Sequence, residues 1–130
     1  MDTIKVIEFN GIGENTGQSF NGRFKLKTIL SRRDRFAADL RRREILGPQS
    51  ENAMAALNGE SFMLGRLFVS IIEAPSWWEN SANGLDLNDG NIIAELFEEC
   101  LKAEKEQLES VQEKASQALE KLSKKTKKDE

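Results

Sequence analysis

One stripe of apolar residues late in the chain restricts the fold more than any other feature. Ile93, Phe97, Leu101, Leu108, Val111, Ala115, Ala118 and Leu122 follow at spacings of four, four, seven, three, four, three and four, with Glu104 in the position the longest gap skips. This is close to a heptad seam and predicts one long amphipathic helix from about residue 91. Residues 91–103 are assigned to a domain spanning residues 1–103, and residues 104–130 to a helical extension whose lysine-rich end, from Lys124, should fray. The outer half of such a helix lies beyond any core that 130 residues could extend over it. Burying the stripe, at roughly 25 cal/mol per Å² of apolar surface, therefore favours a partner helix. Leu108, Val111 and Leu122 become candidate partner-binding residues. The alternative is an amphipathic helix packed only on its own domain.

The period is different at the other end. Phe20, Phe24, Leu26 and Thr28 alternate with Arg23, Lys25 and Lys27, which predicts a strand over residues 20–29 with one buried and one cationic face. Residues 3–9 are short and β-rich, with Ile4, Val6 and Glu8 on one face and Lys5, Ile7 and Phe9 on the other. The glycines and asparagines of residues 10–17 read as a loop joining the two strands. A lone hairpin is marginal and needs helices to pack on.

Helical spacing begins at Ser31, where serine followed three residues later by Asp34 resembles a capping box. Phe36, Ala37, Leu40 and Ile45 recur at helical intervals, and Gly47-Pro48 should end that helix, over residues 31–46. A second helix is expected over residues 51–73, with Met54, Leu57, Phe62, Leu64, Leu67, Phe68, Ile71 and Ile72 as its apolar band. Gly59 and Gly65 weaken it, a break near Asn58 is an option, and residues 69–72 also read as a strand. Pro75, at a first helical position, opens a short helix or turn that sends one of Trp77 and Trp78 into the core and lays the other over a neighbouring surface. Both tryptophans are candidate contacts, because tryptophan is enriched where interfaces desolvate. The fold class is α+β: an N-terminal hairpin packed on a helical bundle, with a long C-terminal helix.

Net charge is −3, yet it is distributed unevenly. Residues 23–43 hold nine basic residues against Asp34 and Asp39, a local +7, which leaves −10 for the remainder. Arg32, Arg33, Arg35, Arg41, Arg42 and Arg43 are therefore candidate docking residues for acidic protein or nucleic acid. The bland alternative pairs them with acids of the C-terminal helix, in the same or a neighbouring molecule. Protein is favoured over nucleic acid, since the acidic remainder repels a polyanion and no recognition motif is present.

Little in the composition supports catalysis. The chain has no histidine and one cysteine, so it lacks an ordinary proton shuttle, a histidine metal ligand and an internal disulfide. Cys100, without a histidine partner, reads as a half-buried helix residue. The glycine-rich loop has neither phosphate-binding spacing, and Asp86-Leu-Asn-Asp-Gly90 lacks a bidentate acid at the twelfth position of a calcium loop, so Asp89 is expected to help cap the last helix. No cofactor and no metal are expected. Neither a leader nor a membrane span is expected, which fits a reducing cytoplasm.

Phe20-Asn-Gly-Arg-Phe-Lys-Leu-Lys27, Leu30-Ser-Arg-Arg-Asp-Arg-Phe36, Arg41-Arg-Arg-Glu-Ile-Leu-Gly47, Ala74-Pro-Ser-Trp-Trp78 and Gly84-Leu-Asp-Leu87 together resemble small tailed-bacteriophage morphogenesis proteins of the tail assembly chaperone type. The resemblance covers roughly residues 20–100. It implies a non-enzymatic phage protein, in the host cytoplasm or the virion, that binds other phage proteins. The implied client of a tail chaperone is the tape-measure protein. A virion structural protein of head, connector or tail is the alternative, and a homo-oligomer is expected in either case.

Overall fold

The computed structural model describes residues 3–48 and 55–128 of an α+β fold. Strand β1 (Ile4–Ile12) and strand β2 (Ser19–Lys27) form an antiparallel hairpin with Ile4 opposite Lys27 and Ile12 opposite Ser19. Both strands run closer to the connecting turn than expected, because the β1 ladder continues through Asn10 and Gly11. The turn itself is closed by Gly13 N donating to Gln18 O (2.8 Å) and Gly17 N donating to Gly13 O (2.9 Å). Alternation fixes the faces as expected on β2: Phe20, Phe24, Leu26 and, just beyond the strand, Thr28 are buried. On β1 the inward face is that of Ile7 and Phe9, while Ile4 and Val6 lie outside among the cations of β2.

Helix α1 (Arg32–Leu46) opens with the capping box read from the sequence. Asp34 N donates to Ser31 Oγ (3.1 Å) and Ser31 N to Asp34 Oδ2 (3.0 Å), so two otherwise orphaned donors are satisfied. Gly47, at φ 77°, ends the helix by donating its N–H to Arg43 O. The expected burial of Phe36 and Leu40 is overturned: they are 74% and 59% exposed. The small Ala38 meets helix α2 (Ala55–Ser70) instead. A Cβ on Gly65 of α2 would stand 2.4 Å from the Ala38 carbonyl oxygen, so the two backbones approach more closely than bulky side chains allow.

α2 is continuous through Asn58 and Gly59 and stops at Ser70, short of the expected 73. Ile71–Glu73 form strand β3, which completes the sheet in the order β1-β2-β3 with Lys25 opposite Glu73 and a bulge beside it. The β-branched pair Ile71-Ile72 suits an edge strand, and the hydrogen bonds offered by β2 decide it. Residues 51–54 of the expected second helix, Met54 among them, and the last two residues of the expected frayed tail lie outside the described residues.

Pro75 caps rather than begins the short helix α3 (Ser76–Glu79). The chain then turns through residues 80–89 into helix α4 (Gly90–Lys128), 39 residues long. The core is one cluster in which Phe9, Phe20, Phe24 and Leu26 of the sheet meet Leu64 and Leu67 of α2, Trp78 of α3, and Ile92, Ile93, Leu96 and Cys100 of α4. No helix among the described residues is long and apolar enough to cross a membrane.

Candidate functional site

Two apolar stripes run along α4: one lies wholly in the core, and the other leaves it. Ile92, Leu96, Cys100 and Ala103 are buried against the sheet and α2. The heptad stripe is offset to one side of them at 100° per residue. It begins in the domain at Ile93 and half-buried Phe97, whose ring meets Phe62 edge-on at 5.9 Å. It then emerges at Leu101 and Leu108, 42% and 56% exposed.

The polar interruption at Glu104 has a local cause. Glu104 Oε1 accepts from Arg66 Nη2 of α2 at 2.6 Å, while Lys5 of β1 pairs with Glu106 on the other side of the helix. These ties hold the helix to the domain beyond residue 103. The part standing clear begins at Gln112, since every residue over 112–124 is exposed. At 1.5 Å per residue the helix projects about 25 Å past that point.

Where the stripe leaves the domain it forms one wall of a groove of about 460 Å³. Leu101, Leu108 and Val111 line the α4 side, Ile29, Leu30 and the stem of Thr28 the β2–α1 connection, and Arg35 and Lys105 the rim. The lining is mainly apolar and open, a shape that accepts a ridge of side chains rather than enclosing a small molecule.

The arginines divide into two groups. Arg41, Arg42 and Arg43 are engaged within α1: Arg42 and Arg43 each pair with Asp39 at 3.1 Å, and Arg41 lies 3.5 Å from Glu44 and over the Phe68 ring at 4.8 Å. Arg23, Lys25 and Lys27 likewise pair with Glu8, Glu73 and Asp34. Six of the nine cations of the basic segment thus have a carboxylate neighbour, Arg42 and Arg43 sharing Asp39, so the segment is not one continuous run of unpaired cations. Arg32, Arg33 and Arg35 are exposed and form no ion pair among the described residues. None of the six pairs uses an acid of the C-terminal helix.

The tryptophans are occupied by their own domain. Trp78 is 1% exposed and meets Phe24 edge-on, so it is closed to a partner. Trp77, half-buried, packs edge-on against Phe20 and Phe24 on the core side of the sheet, with its Nε1 donating to Asn21 O at 2.9 Å.

Cys100 is buried, and burial, reinforced by the charge of Glu104, pushes its thiol up to about 12, so it carries no thiolate at neutral pH. Among the described residues no three of His, Cys, Asp or Glu gather in a way that could hold a metal ion. Asp89 has a role that sequence reading missed. Its carboxylate does not cap α4 but accepts from Asn15 N (2.7 Å), Thr16 N (3.0 Å) and Thr16 Oγ1 (2.7 Å), clasping the hairpin turn. Asn91 adds to the clasp by accepting from Glu14 N (3.0 Å) and donating to Ile12 O (2.9 Å). The Thr16 hydroxyl and these backbone donors hold the Asp89 carboxyl below the ordinary range.

No protein-family model, no curated protein and no solved structure matches the chain.

Proposed function

We propose that this protein is an assembly factor that docks other proteins along α4 and catalyses nothing, acting as a tail assembly chaperone of a tailed bacteriophage. One observation carries the docking role. Val111, Ala115, Ala118, Leu119 and Leu122 continue an apolar stripe onto a stretch of helix that lies beyond the chain's own core. Isolated helices gain most of their stability from packing an amphipathic face, so such a stripe is matched to another surface. The assembly setting is supported by the sequence resemblance over residues 20–100. The buried, protonated thiol of Cys100 favours a binding role over a catalytic one. The local ion pairing of six of the nine basic side chains over residues 23–43 favours protein over nucleic acid as the ligand.

The test places a photo-crosslinking amino acid at Leu119 and expresses the protein during phage development. Cross-links to another phage protein, together with absence of the chain from purified particles, support a chaperone. Stoichiometric presence in particles makes it a structural protein of head, connector or tail. A chain ending at Val111 lacks position 119, so its partners are read by affinity pull-down; it should keep an unchanged circular dichroism melt and lose them. Retained partner capture by that truncated chain refutes the role given to α4.

A further inference from the structure

We infer that the groove between the β2–α1 connection and α4 takes an amphipathic helix of another protein, its apolar stripe in the groove and carboxylates along one flank set against Arg32 and Arg35. This rests on the reading of α4 as a docking element and adds the chemistry of what it receives.

The position of the unpaired arginines, Arg32 and Arg35 with Arg33 beside them in sequence, is the first reason. They stand in the opening turns of α1, where the helix dipole favours acids and disfavours cations. Their neighbours in sequence are matched by carboxylates of the same chain, but these three are not, so the fold holds them in an unfavourable place with no internal return. The second reason is continuity. Arg35 lines the groove itself, and Arg32, one turn before it on the same side of α1, follows two residues after Leu30, which also lines it, whereas Arg33 falls on the far side of the helix. The acid of the lining, Glu104, is already bound by Arg66, so Arg35 and Lys105 leave the rim positive. An occupant must therefore be apolar at its centre and acidic at its edge.

The alternatives fit less well. A second copy pairing through α4 would follow the heptad register, in which Lys114 and Lys121 share the flanking position before Ala115 and Leu122. Antiparallel pairing brings that flank against itself, lysine to lysine, and parallel pairing sets Lys114 against Leu119, so neither supplies a carboxylate. Single-stranded nucleic acid would need rings for its bases to stack on, and the groove lining holds no aromatic side chain.

The test titrates the full chain by fluorescence anisotropy with two synthetic helices about three heptads long. Both carry leucine at the a and d positions, one with glutamate flanks and the other with lysine flanks. The glutamate helix should bind about tenfold tighter or better, with the advantage shrinking as salt rises. Replacing Arg32→Ser and Arg35→Ser together should abolish the preference without lowering the melting temperature, Arg33→Ser alone should leave it, and Leu108→Ser should weaken both helices. Equal binding of the two helices would overturn the charge selection while leaving the Leu119 cross-links, and so the broader docking role, intact. Binding indifferent to Leu108→Ser would move the site elsewhere and overturn the groove. Sedimentation showing a stable dimer that excludes both helices would make a second copy the occupant and overturn the proposal.

Discussion

The two ends of α4 are one unbroken helix with one period, yet they live in different surroundings. Near Gly90 the helix is surrounded: Ile92, Leu96 and Cys100 enter the core, Asp89 and Asn91 clasp the hairpin turn, and Glu104 and Glu106 tie its sides to α2 and β1. Past Val111 every residue through Lys124 is exposed. The inner half shows what this chain needs in order to fold. The outer half carries a pattern folding does not use, and that makes it the informative half for function. A similar contrast holds across α1, whose Ala38 face packs on α2 while Phe36 and Leu40 face outward among arginines.

The sharpest way to break this comparison is to truncate one side chain in each half. Leu96→Ala in the inner half should lower unfolding free energy by about 2–5 kcal/mol in urea titrations, since its fully buried side chain belongs to the close-packed core cluster. Leu119→Ala in the outer half should stay within about 0.5 kcal/mol of the parent. Equal losses would mean that the outer half packs on its own domain after all.

The α1–α2 contact comes next in size. Gly65→Ala would set a methyl group 2.4 Å from the Ala38 carbonyl oxygen, and backbone cannot yield as a flexible side chain does. Destabilisation of about 1–3 kcal/mol is expected, the range for overpacking. Because α1 carries Arg32 and Arg35, the same change should shift the arginines relative to the groove and weaken acidic-helix binding. Unchanged stability and binding would show that α1 is not held in register by this crossing.

The smallest expected effect is a pH dependence confined to the inner half. The hydrogen bonds of Thr16 and the turn backbone depress the Asp89 carboxyl, the Ser31 backbone and Lys27 depress Asp34, and Lys5 depresses Glu106. A carboxyl depressed in the folded state contributes stability that is fully present above its unfolded value, about 4, and is lost as pH falls through the lower folded value. Stability should therefore be flat near neutrality and decline below about pH 4. Asp89→Asn should make that acid slope shallower. A slope unaltered by Asp89→Asn would show that the clasp on the hairpin turn is not one of its sources.

Much of the fold was legible because it is written in local patterns. The alternation at Phe20, Phe24 and Leu26, the Ser31–Asp34 capping box, the stop at Gly47 and the seam of α4 each depend on spacing within a few residues, and each appears where the pattern places it. The misreadings involve partners distant along the chain. Phe36 and Leu40 follow a helical period, but Gly65 offers α1 a close approach that admits Ala38 in their place. Ile71 and Ile72 continue the apolar band of α2, but an open edge on β2 draws them into a strand. The candidate site was legible in part: Leu108 and Val111 line the groove and Leu122 lies exposed beyond it, whereas Trp78 is sealed in the core and Arg41, Arg42 and Arg43 are engaged by neighbours.

By itself the sequence determined the hairpin, the capped first helix, their periods and the presence of a last helix with more apolar surface than a small domain can cover. Only the tertiary structure decided which apolar stripe of that helix is consumed by the core and which arginines are left without a carboxylate. Periodicity is a property of one segment, whereas burial and charge pairing depend on which segments meet, and Arg66 reaches Glu104 only after the chain has closed on itself.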